Sequence, residues 1–170
     1  MNELDYMNQI DDFDEHYQYD STYMRELLET SPDGFEKFNN IMPLTGHREL
    51  LDLTSYWVAK LAAMKSEDCG DCLQLNVRMA LESGLDKEIV AEVVKGGRNL
   101  SGEFKDVYDF AEGLACNTLT DDDLVQRIES RFDKGQLLEF GLCISTAVIF
   151  PIIKRAVGYT KSCSIVDITV

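Results

Sequence analysis

The chain has 170 residues, 45% of them apolar, and a formal charge of −15 from 16 Lys and Arg against 31 Asp and Glu. That size suits one domain with one sizeable core, and the apolar share excludes a disordered chain. So acidic a surface repels nucleic acid and anionic lipid, so neither is an expected partner.

Residues 1–20, "MNELDYMNQIDDFDEHYQYD", hold seven carboxylates and no Lys or Arg. This is the opposite of a signal or transit peptide, and a cytoplasmic location is expected. The plainest reading is a solvated acidic arm, followed by a single helical domain over residues 21–170. In the alternative, Tyr6, Phe13, Tyr17 and Tyr19 lie on a neighbouring subunit. "DDFDEHYQYDST" lacks the central Gly and closing Glu of a calcium loop.

Beyond the arm the signals are helical almost throughout. "STYMRELLET" is short and amphipathic. Ser31-Pro32 opens a helix through Ile41, broken by Pro43 and Gly46. "HRELLDLTSYWVAKLAAM" follows, with Leu50, Leu53, Trp57, Leu61 and Met64 on one stripe. Cys69 and Cys72 start the next helix, which Gly84 stops. Asp86 caps "KEIVAEVVK", closed by Gly96-Gly97, and Ser101 caps "GEFKDVYDFAEGLACN". Thr120 with Asp123 resembles a capping box before "LVQRIESRF". The last long helix runs from about Lys134 to Val157, with Gly158 as its stop. Its stretch Leu142–Ile153 is apolar on nearly every side, which predicts burial all round, and Pro151 should kink it. That run is too short to span a bilayer. The tail "SCSIVDITV" alternates weakly, as a short extended piece does. The expected fold is all-α with about seven helices. Covering so apolar a final helix favours oligomerisation.

The chemistry centres on "KSEDCGDCLQLNVRMALESG". Five cysteines at irregular spacing do not describe a secreted disulfide framework, and in a reducing compartment Cys-x-x-Cys points to redox or metal chemistry. An inert pair is the plain alternative. Residues i and i+3 at a helix start share a face, with Cβ atoms about 5–6 Å apart. A disulfide needs roughly 3.5–4.5 Å, which a tightened first turn supplies. Redox cycling also requires both sulfurs to be reachable from solvent. The helix N-terminus favours a thiolate, while Glu67, Asp68 and Asp71 oppose it. A base is therefore expected. Glu67 is the first choice, His47 the second, and His16 is remote. Asn76 lies one turn past Cys72 and can donate to a thiolate, but does not titrate. No second close Cys/His pair completes a zinc site, and no metal or organic cofactor is expected. Cys143 reads as a core residue, and Cys116 and Cys163 as inert.

The order of these elements, with "SEDCGDCLQLNVRMALESGL", resembles the alkylhydroperoxidase D / carboxymuconolactone decarboxylase-like family. Its pattern is a helix ("YWVAKLAAM"), Cys-x-x-Cys opening the next ("CGDC"), an alanine (Ala80) and a glycine step into another helix ("GLDKEIV"). The likeness extends through "VYDFAEGLACNTLTDDDLVQRI" and covers roughly residues 45–158. It implies a helical fold assembled as trimers or hexamers. It implies a peroxidase-type dithiol in which Cys72 attacks peroxide and Cys69 resolves it, recycled by an external thiol reductant. The family's peroxidatic members carry a His four residues after the second cysteine and a Glu twelve before the first. Here those positions are Asn76 and Trp57, so the relay does not carry over. Glu67, with Gln74, then shapes the site instead. Two other functions fit. One is a lyase or decarboxylase-like enzyme on a small anionic lactone, drawing on Arg48, Arg78 or Arg98. The other is a non-catalytic redox-sensing oligomer.

Overall fold

The computed structural model describes residues 3–67, 69–159 and 169–170. Among these, helices account for all regular structure, in ten segments. They are α1 (Glu3–Tyr17), α2 (Thr22–Thr30), α3 (Pro32–Asn39), the single turn α4 (Met42–Thr45), α5 (Leu53–Ser66), α6 (Gly70–Glu82), α7 (Lys87–Val94), α8 (Gly102–Ala115), α9 (Asp122–Arg131) and α10 (Lys134–Ala156). The all-α class is as expected, but three segments exceed the seven predicted. The expected extended tail, with Cys163, lies outside the described residues except for Thr169 and Val170.

The largest differences concern the arm and the central helix. The arm is not solvated. Residues 3–17 form α1, and Ile10 packs with Tyr19, Tyr23, Met24, Leu28, Phe35 and Phe38 in a core shared with α2 and α3. Its apolar residues are too few for a clear period, so the sequence hides an amphipathic helix. The stripe read from "HRELLDLTSYWVAKLAAM" is also too narrow. The helix begins only at Leu53, with Asp52 as N-cap accepting from Ser55 N–H, and Leu50 lies before it, half exposed. From Ser55 to Met64 every residue of α5 is buried. Val58, Ala59, Ala62 and Ala63 fill the sides off the stripe, and their small side chains admit α6, α7, α8 and α10 around one axis.

The all-round burial expected of the Leu142–Ile153 stretch of α10 belongs instead to α5. Helix α10 turns Phe140, Cys143, Ile144, Ala147 and Pro151 inward, while Leu138 is 64% and Ile152 50% exposed. It continues through Pro151 as one helix of 23 residues. By length and composition it is the one helix among the described residues sufficient to cross a bilayer, which corrects the estimate from its apolar run alone. Its buried Glu139 and Lys154 and its packing on α5, α4 and α8 are compatible with a soluble protein.

Local signals place the remaining ends. Gly84 and Gly96 take positive φ (91° and 102°) and close α6 and α7, with Leu85 N–H returning to Ala80 O and Gly97 N–H to Glu92 O. Asp86 caps α7 as expected. The cap of α9 is Asp121 rather than Thr120, accepting from Leu124 N–H. A capping box of Asp133 and Gln136 opens α10.

Glu139 anchors the loop before α5. Its carboxylate accepts from the N–H groups of Glu49 (3.1 Å), Leu50 (2.8 Å) and Leu51 (3.1 Å). Burial pushes this carboxyl up, but the three N–H groups and the charge of His47 pull it further down, leaving it below the ordinary range. Glu139→Ala leaves those donors without their acceptor and should cost at least about 1–3 kcal/mol in urea denaturation at neutral pH. A depressed carboxyl stabilises the fold fully above its unfolded pKa of ~4.3 and loses that contribution as pH falls through the lower folded value. The gap between wild type and variant should therefore close on acidification.

Candidate thiol site

Cys69 is the N-cap of α6 and stands in extended conformation (φ −108°, ψ 92°), while Cys72 lies in the first turn. The extended cap swings the Cys69 side chain over that turn, and its S–H donates to Cys72 Sγ at 2.7 Å. The gap is longer than the ~2.05 Å of a disulfide and shorter than two helical positions alone would allow. Both cysteines are buried, Cys69 with 2% and Cys72 with 1% of its surface exposed. The expectation that both are open to solvent is therefore overturned. The hydrogen bond to Cys72, then burial, then the neighbouring Cys72 sulfur push the Cys69 thiol far above its ordinary value, against a smaller pull from Lys154.

The cover over Cys72 comes from the turn joining α1 to α2. Tyr19 Oη lies 3.5 Å from Cys72 Sγ. The turn that brings it there is held at several points. Gln18 adopts φ 49°, a left-handed helix end that Gly or Asn usually fills. Tyr19 N–H donates to Asp14 O, and Ser21 N–H to Asp14 Oδ2. Arg25 pairs with Asp11 and Asp14. From α6, Arg78 donates to the carbonyls of Tyr17 and Gln18, and Glu82 accepts from Tyr17 Oη and lies 2.9 Å from His16 Nε2. Burial, then the Glu82 hydrogen bond, push the Tyr17 phenol up to about 12.

Behind Tyr19, where the α1–α3 core meets the main one, is a cavity of about 60 Å³. Cys72, Tyr19, Tyr23, Asn76, Lys60 and Thr45 line it, with apolar side chains that include Met24, Met64 and Phe150. It has room for about two to four non-hydrogen atoms, judged by the space one water needs. Two buried lysines lie close by. Lys60 donates to Thr45 O and to Tyr56 Oη (3.1 Å) and lies over the rings of Tyr56 and Trp57. Burial lowers its pKa. Lys154, on α10, lies 5.0 Å from the Tyr19 ring centre, 5.8 Å from that of Tyr23 and 3.7 Å from Asp71 Oδ2.

The residues singled out from sequence divide. Cys69, Cys72 and Asn76 come together. Asn76, however, donates to the Cys72 carbonyl (2.9 Å) rather than to its sulfur. Glu67 caps α5 and is engaged by Arg155, which bonds both its carboxylate and its carbonyl, and it does not line the cavity. Gln74 holds the tail, donating to Thr169 O (3.0 Å) and accepting from Thr169 N–H (2.8 Å). His47 is exposed, near Glu139, and His16 is on the surface beside Glu82. Trp57 is core. Asp68 lies outside the described residues. Cys143 is core, its thiol pushed up to about 12 by burial, and Cys116 is exposed at the end of α8. No arginine lines the cavity; Arg78 serves the α1–α2 turn and Arg48 donates to Leu51 O. Among the described residues no three His, Cys, Asp or Glu side chains gather as metal ligands.

Sequence reading missed Tyr19, Tyr23, Lys60 and Lys154. Lys60 is a lone cation in the apolar run "YWVAKLAAM" and Lys154 directly follows the apolar "VIFPII", and those were the available signals. Compared with known families, curated proteins and solved structures, the chain has no significant match.

Lys60 provides a test of the electrostatics. Lys60→Met removes a buried charge and leaves Thr45 O the hydroxyl of Tyr56 as donor (2.8 Å). Stability should be unchanged or higher at neutral pH in urea denaturation. A lysine depressed by folding costs stability below its folded pKa, and the cost fades as pH rises toward the unfolded value of ~10.4. The difference between variant and wild type should therefore shrink with rising pH.

Proposed function

We propose that the protein is a thiol–disulfide redox enzyme of the peroxidase type, with Cys72 as nucleophile and Cys69 as resolving thiol. One observation carries this reading. Two sulfurs 2.7 Å apart at a helix N-terminus adjoin a cavity lined by Cys72, and Cys69 is the proton donor of the pair. The Cys72 thiolate attacks one peroxide oxygen and the O–O bond breaks. The departing oxygen takes up the proton that Cys72 released in forming its thiolate and leaves as water, with Cys72 oxidised to sulfenic acid. The Cys69 sulfur then attacks Cys72, the S–S bond forms and a second water leaves. An external dithiol reduces the bridge by exchange. Because the sulfurs are buried, that last step requires Tyr19 to move aside. No metal or organic cofactor takes part.

The likeness of "SEDCGDC" and its helix order to alkylhydroperoxidase D-like proteins supports the same chemistry. In this reading Glu67 is a positioning residue rather than the base, since its carboxylate is tied to Arg155 beside the turn carrying Cys69. Assembly as a trimer or hexamer is part of the proposal, favoured by the outward edge of Leu138, Leu142 and Ile152 on α10. A cytoplasmic location fits a dithiol that must be kept reduced.

Peptide mapping after one equivalent of hydrogen peroxide should find Cys69 joined to Cys72. Cys72→Ser should stop peroxide consumption, and full turnover in that variant, or no bridge in the wild type, would refute the proposal. The cavity size also predicts that hydrogen peroxide forms the bridge at least about tenfold faster than a bulky aryl hydroperoxide, a difference of ~1.4 kcal/mol in barrier.

A further inference from the structure

The residues that would activate Cys72 in a peroxidase relay are absent from their family positions, and Glu67 is committed elsewhere. Resting on the dithiol reading above, we propose that Tyr19 is a catalytic hydrogen-bond donor to the Cys72 thiolate, that Lys154 supports it electrostatically, and that Tyr23 is the hydroxyl that binds the peroxide.

Three geometric observations carry this. Tyr19 Oη lies 3.5 Å from Cys72 Sγ, on a turn pinned by Asp14 and Arg78. Tyr23, 3% exposed, lines the same cavity, and its hydroxyl, which faces that of Tyr19, makes no hydrogen bond of ordinary length. A buried hydroxyl left so is costly unless a ligand completes it. Lys154 is 2% exposed and lies over both rings; Asp71 is 3.7 Å away, a long ion pair, and Asp20 feels its charge from farther off. Neither carboxylate reaches this buried ammonium at hydrogen-bond distance, so a thiolate formed beneath Tyr19 adds negative charge that it stabilises. Burial, above all, holds both phenols well above their ordinary values. They therefore stay protonated and act as donors, not bases. The thiol proton ends on the departing oxygen, as the overall reaction requires.

The titratable groups facing this sulfur and the side chains around it come from five helices and one turn. They are Cys69 and Asp71 (α6), Lys60 (α5), Lys154 (α10), Tyr23 (α2), Asp14 (α1) and Tyr19 with Asp20 in the α1–α2 turn. Two readouts separate their roles. One is the thiolate ultraviolet absorbance against pH, taken as the difference from Cys72→Ser. The other is the rate of bridge formation against hydrogen peroxide concentration. Tyr19→Phe should raise the thiolate midpoint and slow bridging by about tenfold or more, the usual weight of a hydrogen bond to a charged group. Lys154→Met should raise the midpoint too, and Lys154→Arg should restore it. Tyr23→Phe should leave the midpoint in place and raise the peroxide concentration for half-maximal rate. A Tyr19→Phe profile coincident with wild type in midpoint and rate overturns the assignment, as does a Tyr23→Phe midpoint shift equal to that of Tyr19→Phe. The thiolate titration is read whether or not a bridge forms, so a wild type that never bridges refutes the redox reading separately.

Discussion

Helix α5 passes through the middle of the molecule with every residue from Ser55 to Met64 out of water, and the main core is arranged by the need to cover it. A helix buried on all sides needs neighbours on all sides. Here α6, α7, α8 and α10 take those places, and three of the ten buried residues of α5 are alanines. Burying Val58, Leu61, Met64 and Trp57 supplies a large hydrophobic driving force, roughly 1.5–3 kcal/mol for each large side chain. It also forces Lys60, in the same run, to bring its ammonium into the interior. That charge is accommodated by the Thr45 carbonyl, the Tyr56 hydroxyl and two aromatic faces, and the same accommodation places it at the wall of the thiol cavity.

The second organising element is the acidic N-terminal helix. Seven carboxylates in twenty residues suggest a segment that stays in water. Helix α1 places most of its charges outward and uses two of them, Asp11 and Asp14, to hold Arg25 and the turn into α2. That turn, clasped from α6 by Arg78 and Glu82, sets a phenol against Cys72. Acidity and shelter of the thiol therefore come from the same piece of chain. In a protein of charge −15, two buried lysines stand by the thiol site, Lys60 in the cavity wall and Lys154 over the Tyr19 ring. Being sheltered from solvent, they act on the site through a low dielectric.

Parts of this were legible in sequence. The Cys-x-x-Cys at a helix start is a local fact, and so are the glycine stops of α6 and α7 and the cap at Asp86, since each depends on a few neighbouring residues. The stripe on α5 was underestimated because alanine and valine carry little periodic contrast, and α10 was overestimated because an apolar residue can face water as readily as a core. The openness of the cysteines was misjudged for a related reason. Burial of Cys72 depends on Tyr19, 53 positions earlier, and no local pattern reports that distance.

By itself, then, the sequence determined the helical class, the thiol pair and the ends of several helices, because backbone capping, glycine conformation and side-chain spacing act within a turn or two. Only the tertiary structure decided which helix is central, where Lys60, Lys154, Tyr19 and Tyr23 meet, and that Glu67 turns to Arg155. Those outcomes depend on long-range packing around α5, where burying an ammonium or a phenol is tolerable only if distant segments bring a carbonyl, a ring or a sulfur to meet it.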